Sequence, residues 1–572
     1  MLNLSKHALF VLQSRYLRRN ESGQIIETPE EMFRRVARAM AVIEERFGNE
    51  ATVWQERFYQ LLTSLRFLPN SPALMHAGKP SGQLAACFVL PVEDTMEGIF
   101  DALKNAALIL QSGGGTGFSF SRLRPADDVV GSTGGQASGP VSFMKIFDAA
   151  TDVVKQGGAR RGANMGMLRV DHPDILQFIR LKRESGELTN FNISVAVPDS
   201  FMDAVKSDSE YALVNPRTGA VVRTLRARKV FDEMVLSAWT SGDPGVVFLD
   251  RINEANPTPH LGSFEATNPC GEQPLLPYEA CVLGSLNIAA YIKNGALDYL
   301  ALGDDITLAV RMLDNAVDAT HYPIDESARM HRATRKIGLG VMGWADALVK
   351  MGIPYESSQA CAKARRIMRF IQESAHHTSE ALAQERGPFP SFTGSIYERT
   401  GMPPRRNATL TTIAPTGTLA IIADCSSGIE PYYSLAYKRR ALDTELLIVN
   451  KLFVEAAEQS GFYSRELMAG VLQRGTVRGM RTVPAAFRAL FRTAHEIHYE
   501  AHIEMQAAFQ AYTDNAVSKT INMPHRATAA AVAHIIMLAY EKRLKGITIF
   551  RAGTKRGTLA TISESDTLKE GI

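Results

Sequence analysis

Six residues near the middle of the chain, Thr267-Asn268-Pro269-Cys270-Gly271-Glu272, place an amide, a thiol and a carboxylate within five positions. Pro269 and Gly271 disfavour both a helix and a central strand, so the segment reads as a tight loop tip. Such a tip would point all three side chains into one cavity. The trio suits radical chemistry on a sugar. A thiyl radical on sulfur can take a hydrogen from a ribose carbon and later return it. A neighbouring carboxylate can accept a hydroxyl proton as general base. An amide can hold hydroxyl groups in register. On residue types alone, a turn with an incidental cysteine is equally open.

Four further cysteines are Cys87, Cys281, Cys361 and Cys425. Five cysteines in 572 residues are odd in number and sparse, which argues against a secreted disulfide scaffold and for the cytoplasm. Any pairing in a reducing compartment would be transient and catalytic. Ala414-Pro415-Thr416-Gly417-Thr418-Leu419 lies between two apolar runs. It can offer backbone N–H groups to a phosphate at a helix start, or serve as an ordinary strand-to-helix turn. Gly157-Gly158-Ala159-Arg160-Arg161-Gly162 is a basic, glycine-rich loop. Gly338-Leu339-Gly340-Val341-Met342-Gly343 fits a dinucleotide fingerprint, but no βαβ unit surrounds it. His498 and His502 are spaced for one helix face, yet no third ligand of fitting type stands out, and no metal is expected there.

These residues need elements to position them. Thr28-Pro29-Glu30-Glu31 starts a helix with a capping box, and Phe33, Val36, Met40, Ile43 and Phe47 mark its apolar face up to Gly48. The opening MLNLSKHALF stretch reads as a short helix, not a signal peptide. Residues 1–65 are expected to form a helical region. From residue 66 to 553, β-like runs alternate with amphipathic helices, an α/β pattern with parallel strands. The runs are 86–90, 193–197, 246–249, 409–413 and 547–550. Phe143, Ile146, Phe147, Ala150, Val153 and Val154 mark one helix face ending at Gly157-Gly158. Residues 554–572 look like a polar tail.

Lys and Arg total 63 against 60 Asp and Glu, a net charge of +3. That balance gives no field for nucleic acid or membranes. No apolar run approaches the roughly 18 residues of a membrane span.

TNPCGE, followed by Pro277-Tyr278-Glu279-Ala280-Cys281 and Gly284-Ser285-Leu286-Asn287, closely resembles the finger loop of the ribonucleotide reductases. FLPNSPALMHAG (67–78), LAACFVLPVEDT (84–95), GGGTGFSFSRLRP (113–125), TGGQASGPVSFM (133–144), KQGGARRGANMGMLRVDHPDI (155–175), TLTTIAPTGTLAII (409–422), SSGIEP (426–431) and YTDNAVSKTINMP (512–524) resemble further family blocks, in the family's order. The resemblance spans residues 5 to about 555. It implies a ten-stranded α/β barrel of two five-stranded parallel halves, threaded by the Cys270 loop. It implies that Cys270 carries the thiyl radical, that Glu272 is the base on the ribose 3′-hydroxyl and that Asn268 holds the ribose. Cys87 and Cys281 would be the pair that supplies two electrons and closes into a disulfide. Replacing C–OH by C–H needs those two electrons, and two thiols can be reset by exchange. Cys361 and Cys425 are read as structural.

The same resemblance assigns substrate contacts to Ser71, Ala86, Gly115, Thr416, Gly417, Thr418 and Leu419. Lys155, Gly158, Arg160 and Arg161 would belong to a specificity loop that relays effector identity. Gly134 to Gly139 and the 143–155 helix would form an effector site for dNTPs or ATP at a homodimer interface. Substrates would be ribonucleoside diphosphates.

Cys270 cannot generate its own radical. Lys545-Gly546-Ile547-Thr548-Ile549-Phe550-Arg551 stands where partner-driven relatives carry adjacent tyrosines, and it has none. Residues 558–572 contain no glycyl-radical signature. The block spellings resemble the adenosylcobalamin branch, in which the cofactor carries the hard step. The alternatives are a large subunit fed by a metal-bearing partner, and a silent nucleotide-binding paralogue. Many relatives end in a cysteine pair, whereas no cysteine follows Cys425. Re-reduction is therefore expected from a thioredoxin-like protein, a separate redox subunit or a tail missing here. There is no room before residue 28 for an ATP-cone domain, so on/off control by ATP and dATP is not expected.

Overall fold

The computed structural model describes residues 2–80, 82–131, 134–156, 160–184, 187–441 and 444–554. Three helices open the chain: α1 (Lys6–Arg15), α2 (Pro29–Ala41) and α3 (Ala51–Thr63). Thr28 caps α2, and Glu31 reaches back to the Thr28 N–H, so the expected capping box is present. The helix then tightens into a 3-10 turn, Val42–Phe47, which stops at Gly48 in the left-handed region, φ 75°. Met32, Phe33, Val36 and Met40 bury the face that the sequence spacing marks. Each such side chain is worth about 1.5–3 kcal/mol.

The next unit is a barrel. Five strands run parallel: β1 (Cys87–Pro91), β2 (Gly115–Ser119), β3 (Asn164–Arg169), β4 (Phe191–Val197) and β5 (Gly245–Phe248). The second half contains β6 (Ala280–Asn287), β7 (Ile337–Met342), β8 (Thr520–Met523) and β9 (Gly546–Arg551). Within it β6 pairs parallel with β7, and β8 parallel with β9. Residues 409–413 make parallel bridges to β7, at Leu339 to Thr411, and to the segment leading into β8, at Ile413 to Val517. These nine strands and this segment make ten staves, and a further short strand, Phe67–Pro69, pairs antiparallel with β6 outside the parallel halves. The halves meet at two antiparallel seams, β5 against β9 and β1 against β6. That is the expected architecture of two five-stranded parallel halves.

Two local expectations are corrected. The run 409–413 reads as a full strand, but it is joined to its neighbours by isolated bridges and backbone bonds such as Thr412 N–H to the Leu339 carbonyl, while the Thr412 hydroxyl donates to the Glu272 and Ala516 carbonyls. The apolar face of the helix Gly139–Val153 is split. Val141, Met144 and Phe147 are buried, while Ile146 and Val153 are 39% and 80% exposed. Two adjacent apolar stripes share one periodicity, and only packing chooses between them. This helix also stops at Val153, short of the expected end at Gly157-Gly158, and the tail beyond Thr554 lies outside the described residues.

The fingerprint glycines 338 and 340 sit inside buried strand β7. A Cβ on Gly340 would lie 2.2 Å from the Thr412 carbonyl oxygen, so this glycine lets the next stave approach. The helical region is tied to the barrel's outer helices by a buried ion network. Arg311 on the helix Tyr299–Ala319 meets Glu44 at 2.6 Å, and Arg386 on the helix Ser358–Arg386 meets it at 2.7 Å. Among the described residues no helix is long and apolar enough to cross a membrane.

Candidate active site

A hairpin enters the barrel between the two halves. Ala266–Thr267 pairs antiparallel with Pro274–Leu275, and Cys270 stands at the tip. The hairpin lies on β2 because β2 carries glycine where the two touch. A Cβ on Gly117 would sit 1.8 Å from the Thr267 carbonyl oxygen, and one on Gly115 would sit 3.0 Å from Pro269. Both arms are anchored. The Asn192 amide donates to the Pro269 carbonyl at 2.7 Å, and Ala516 N–H donates to the Glu272 carbonyl at 2.9 Å. Within the tip, Gly271 N–H bonds the Asn268 carbonyl at 3.1 Å, with Gly271 at φ +81°, a left-handed conformation that suits glycine.

The anchoring brings distant residues together. Asn268 and Glu272 are both 2% exposed, whereas Cys270 is exposed at the tip. The Asn268 Nδ2 donates to Cys87 Sγ at 3.0 Å, and Cys87 Sγ lies 3.9 Å from Glu272 Oε1. Glu272 Oε2 is buried and has no protein partner. Burial pushes the Glu272 carboxyl up to about 7, despite the hydrogen bonds from Asn268 and Cys87. It is a carboxylate poised to take a proton near neutrality.

Cys87 and Cys281 are direct register partners across the β1/β6 seam. Burial raises both thiols well above their ordinary pKa, and the Glu272 charge raises Cys87 further. Lys336 opposes the rise at Cys281. Its Nζ pairs with Glu279 at 2.6 Å, and both side chains are fully buried. The two thiols are thus kept protonated.

Around this group lies a cavity of about 340 Å³, within the usual range for small-molecule sites. Cys87, Asn268, Cys270 and Glu272 line it. So do Ser71, Ala86, Gly115 and Thr416 to Leu419, the residues for which sequence implied substrate contact. Cys281 stands behind Cys87 and is not part of the wall. Ser71 and Gly417 each begin a short helix, Ser71–His76 and Gly417–Ile422. The Thr416 hydroxyl accepts from Gly428 N–H at 2.7 Å and so braces its loop.

Cys270 also borders a second cavity of about 280 Å³. Its walls include Gly245 to Val247, Gly546 to Thr548, Glu430 and Lys519. Lys519 is buried and pairs with Glu430. A Cβ on Gly245 would lie 3.0 Å from Ser194 Oγ, and one on Gly546 3.1 Å from the Val246 carbonyl, so these walls are backbone-close. A third cavity of about 340 Å³ shares Ser427, Glu430 and Thr520 with the second. Cys425 borders that third space, and Cys361 lies half-buried in the Ser358–Arg386 helix.

Other sequence candidates fall elsewhere. The backbones of Lys155–Gln156 and Arg160–Arg161 pair antiparallel, while the side chains of Lys155, Arg160 and Arg161, and Gly158 altogether, lie outside the described residues. His502 is buried and bonded to the Ala494 carbonyl and Lys519, whereas His498 is exposed beside Glu500. The cavity wall also contains Arg15, Tyr16, Asn70 and Ser285. Sequence reasoning missed Arg15, Tyr16 and Ser285 as site residues. Nothing within the first helix announces which end will meet a barrel, although Asn70 and Ser285 lie in blocks that the sequence had marked.

Comparisons with known proteins agree with this geometry. Residues 85–550 match the family model described as "Ribonucleotide reductase, barrel domain", and residues 2–82 match "Ribonucleotide reductase, all-alpha domain". The chain is 46% identical to a "Vitamin B12-dependent ribonucleoside-diphosphate reductase" of Thermoplasma acidophilum, over 99% of this chain and 81% of that one. It is 50% identical to a protein of the same name from Mycobacterium tuberculosis, over 97% and 80%. Among solved structures, the "Actinobacillus ureae class Id ribonucleotide reductase alpha subunit" superposes with TM-score 0.80 at 22% identity, covering 96% of this chain and 98% of that chain, a likeness of fold. With its barrel, its helical region and two relatives near half identity along nearly its whole length, this chain belongs to the ribonucleotide reductase family.

Proposed function

We propose that the chain is an adenosylcobalamin-dependent ribonucleotide reductase that converts ribonucleoside diphosphates to 2′-deoxyribonucleoside diphosphates. The observation that carries the reading is the position of Cys270 on the shared wall of two cavities. One cavity holds the acid, amide and thiol that the sugar chemistry needs. The other leaves space beside the same sulfur for a radical source. Adenosylcobalamin, when bound, supplies the radical that starts the reaction at the Cys270 sulfur. The second cavity, about 280 Å³, has room for the adenosyl portion of such a group: it abuts Cys270, its glycine walls allow close approach, and Lys519, Glu430 and Asn192 line it.

The chain's own residues do the rest. The Cys270 thiyl takes the ribose hydrogen, and Glu272 accepts the 3′-hydroxyl proton. Asn268 orients the sugar. The 2′-hydroxyl leaves as water, Cys87 and Cys281 supply two electrons and two protons and close as a disulfide, and Cys270 returns its hydrogen. In sum, one C–OH and two thiols become one C–H, one disulfide and one water.

A partner-driven reductase would need a tyrosine relay to Cys270. The corresponding segment is β9, whose Ile547 and Thr548 line the second cavity, and no tyrosine is among that cavity's described lining residues. The intact catalytic set argues against a silent paralogue. We further assign effector sensing, for dNTPs or ATP, to the loop of Lys155, Gly158, Arg160 and Arg161. Homodimerisation is assigned to the exposed Ile146 and Val153 stripe together with exposed Phe100 and Leu108 on the helix Met96–Gln111. The disulfide is reset by a thioredoxin-like protein or a separate redox subunit. A reduced, sparse cysteine set suits the cytoplasm.

The test is an anaerobic assay of the chain with cytidine diphosphate, adenosylcobalamin and dithiothreitol. Deoxycytidine diphosphate should form without any second protein. Product that appears only after a metal-bearing partner is added would overturn the cofactor assignment.

A further inference from the structure

We infer that Arg15, at the end of α1, grips the terminal phosphate of the substrate and makes the catalytic cavity selective for diphosphates. The inference rests on the reading of that cavity as the reductase site. It begins from the charge of the wall. Among the described residues that line the cavity, Arg15 is the single cation and Glu272 the single acid. The acid belongs to the hairpin, where the sugar chemistry is placed. The cation comes from the helical region, outside the barrel. A diphosphate brings several negative charges, and a guanidinium presents donors in a fork that matches phosphate oxygens.

The position of Arg15 is set by its neighbours. Tyr16 is buried, and its hydroxyl lies 2.8 Å from Ser71 Oγ. The helix α1 packs against the helix Gly417–Ile422. The end of α1 is therefore pinned to both segments that carry the hydroxyl and amide groups expected at the phosphates. Asn70 supplies a second, independent sign of a ligand. It is 6% exposed and lines the cavity, and its Oδ1 caps the Ala73 N–H, yet its Nδ2 has no partner in the protein. A buried donor without an acceptor is costly unless a ligand supplies one. A phosphate held by Arg15 gives the Asn70 amide that acceptor. The helical region is then part of the substrate site, and a diphosphate gains an anchor that a monophosphate or a nucleoside lacks.

The experiment compares wild type with Arg15→Ala, Arg15→Gln and Arg15→Lys in the full chain. Binding of cytidine diphosphate and of cytidine monophosphate is measured by calorimetry without cobalamin, alongside KM and kcat of the loaded enzyme. Arg15→Ala and Arg15→Gln should weaken the diphosphate by at least about tenfold and the monophosphate far less, so the diphosphate-to-monophosphate preference collapses. KM should rise with little change in kcat, and Arg15→Lys should recover part of the preference. An unchanged preference, or an equal loss of both ligands, overturns the inference. If wild type binds the diphosphate preferentially but reduces none, the reductase reading fails while the binding ratio still decides the role of Arg15.

Discussion

Cys87 and Cys281 face each other as direct partners on antiparallel strands, at the seam where the two halves of the barrel join. Directly opposed residues in such a pair have Cα atoms about 4.5–5.5 Å apart, within the roughly 4.4–6.8 Å that a disulfide spans. Neither is in a disulfide in this structure. The bond can therefore close with little backbone movement. Replacing either one, as Cys87→Ser or Cys281→Ser, should stop multiple turnover with thioredoxin. Two variants that both cycle at the wild-type rate would remove this pair from the mechanism.

Cys270 is expected to be indispensable for chemistry and dispensable for binding. Cys270→Ser should form no deoxynucleotide while cytidine diphosphate affinity stays at the wild-type level. Measurable product from that variant, checked by chromatography of the nucleotides, would exclude a thiyl radical at this position.

The Glu272 carboxyl, raised to about 7 by burial, predicts a pH profile. Its deprotonated form is the base, so kcat/KM should climb as pH rises through about 7 and then level off. Glu272→Gln should flatten that limb and lower activity by about 10²–10⁴. The sign for stability is opposite. The unfolded carboxyl ionises near 4.5 and the folded one near 7, so unfolding free energy should fall as pH rises between those values. Urea unfolding of wild type and Glu272→Gln at several pH values would show the difference.

Behind Cys281, the Lys336–Glu279 pair is sealed from solvent. Lys336→Met leaves a buried carboxylate without its partner and should cost about 3–5 kcal/mol. The double change Lys336→Met with Glu279→Leu should cost much less. Chemical denaturation of the single and double variants separates the two cases, and equal losses would mean the pair is not coupled.

Gly117 has no room for a side chain, since a Cβ would fall 1.8 Å from the Thr267 carbonyl oxygen. Gly117→Ala should push the hairpin off β2 and displace Cys270, Asn268 and Glu272 together. Turnover should fall sharply, because the clash on this β2 residue falls on the Thr267 carbonyl of the hairpin. Wild-type activity in this variant would show that the hairpin tolerates another path.

The sequence by itself determined what depends on near neighbours. Pro269 and Gly271 made the tip, and the tip brought Asn268, Cys270 and Glu272 side by side. Thr28 and Glu31 made the capping box, and five of the ten staves were legible as short apolar runs. The family blocks added the barrel and marked residues for the site. Only the tertiary structure decided which of these meet. Cys87 opposes Cys281 because β1 and β6 meet at an antiparallel seam, a register set by closure of the whole barrel. Arg15 reaches the cavity because α1 docks on the helix Gly417–Ile422. Ile146 and Val153 are exposed because the other stripe of their helix, Val141, Met144 and Phe147, packs into the core. Local propensity acts over a few residues, whereas a contact between residues far apart in the chain exists only once the staves between them are paired and packed.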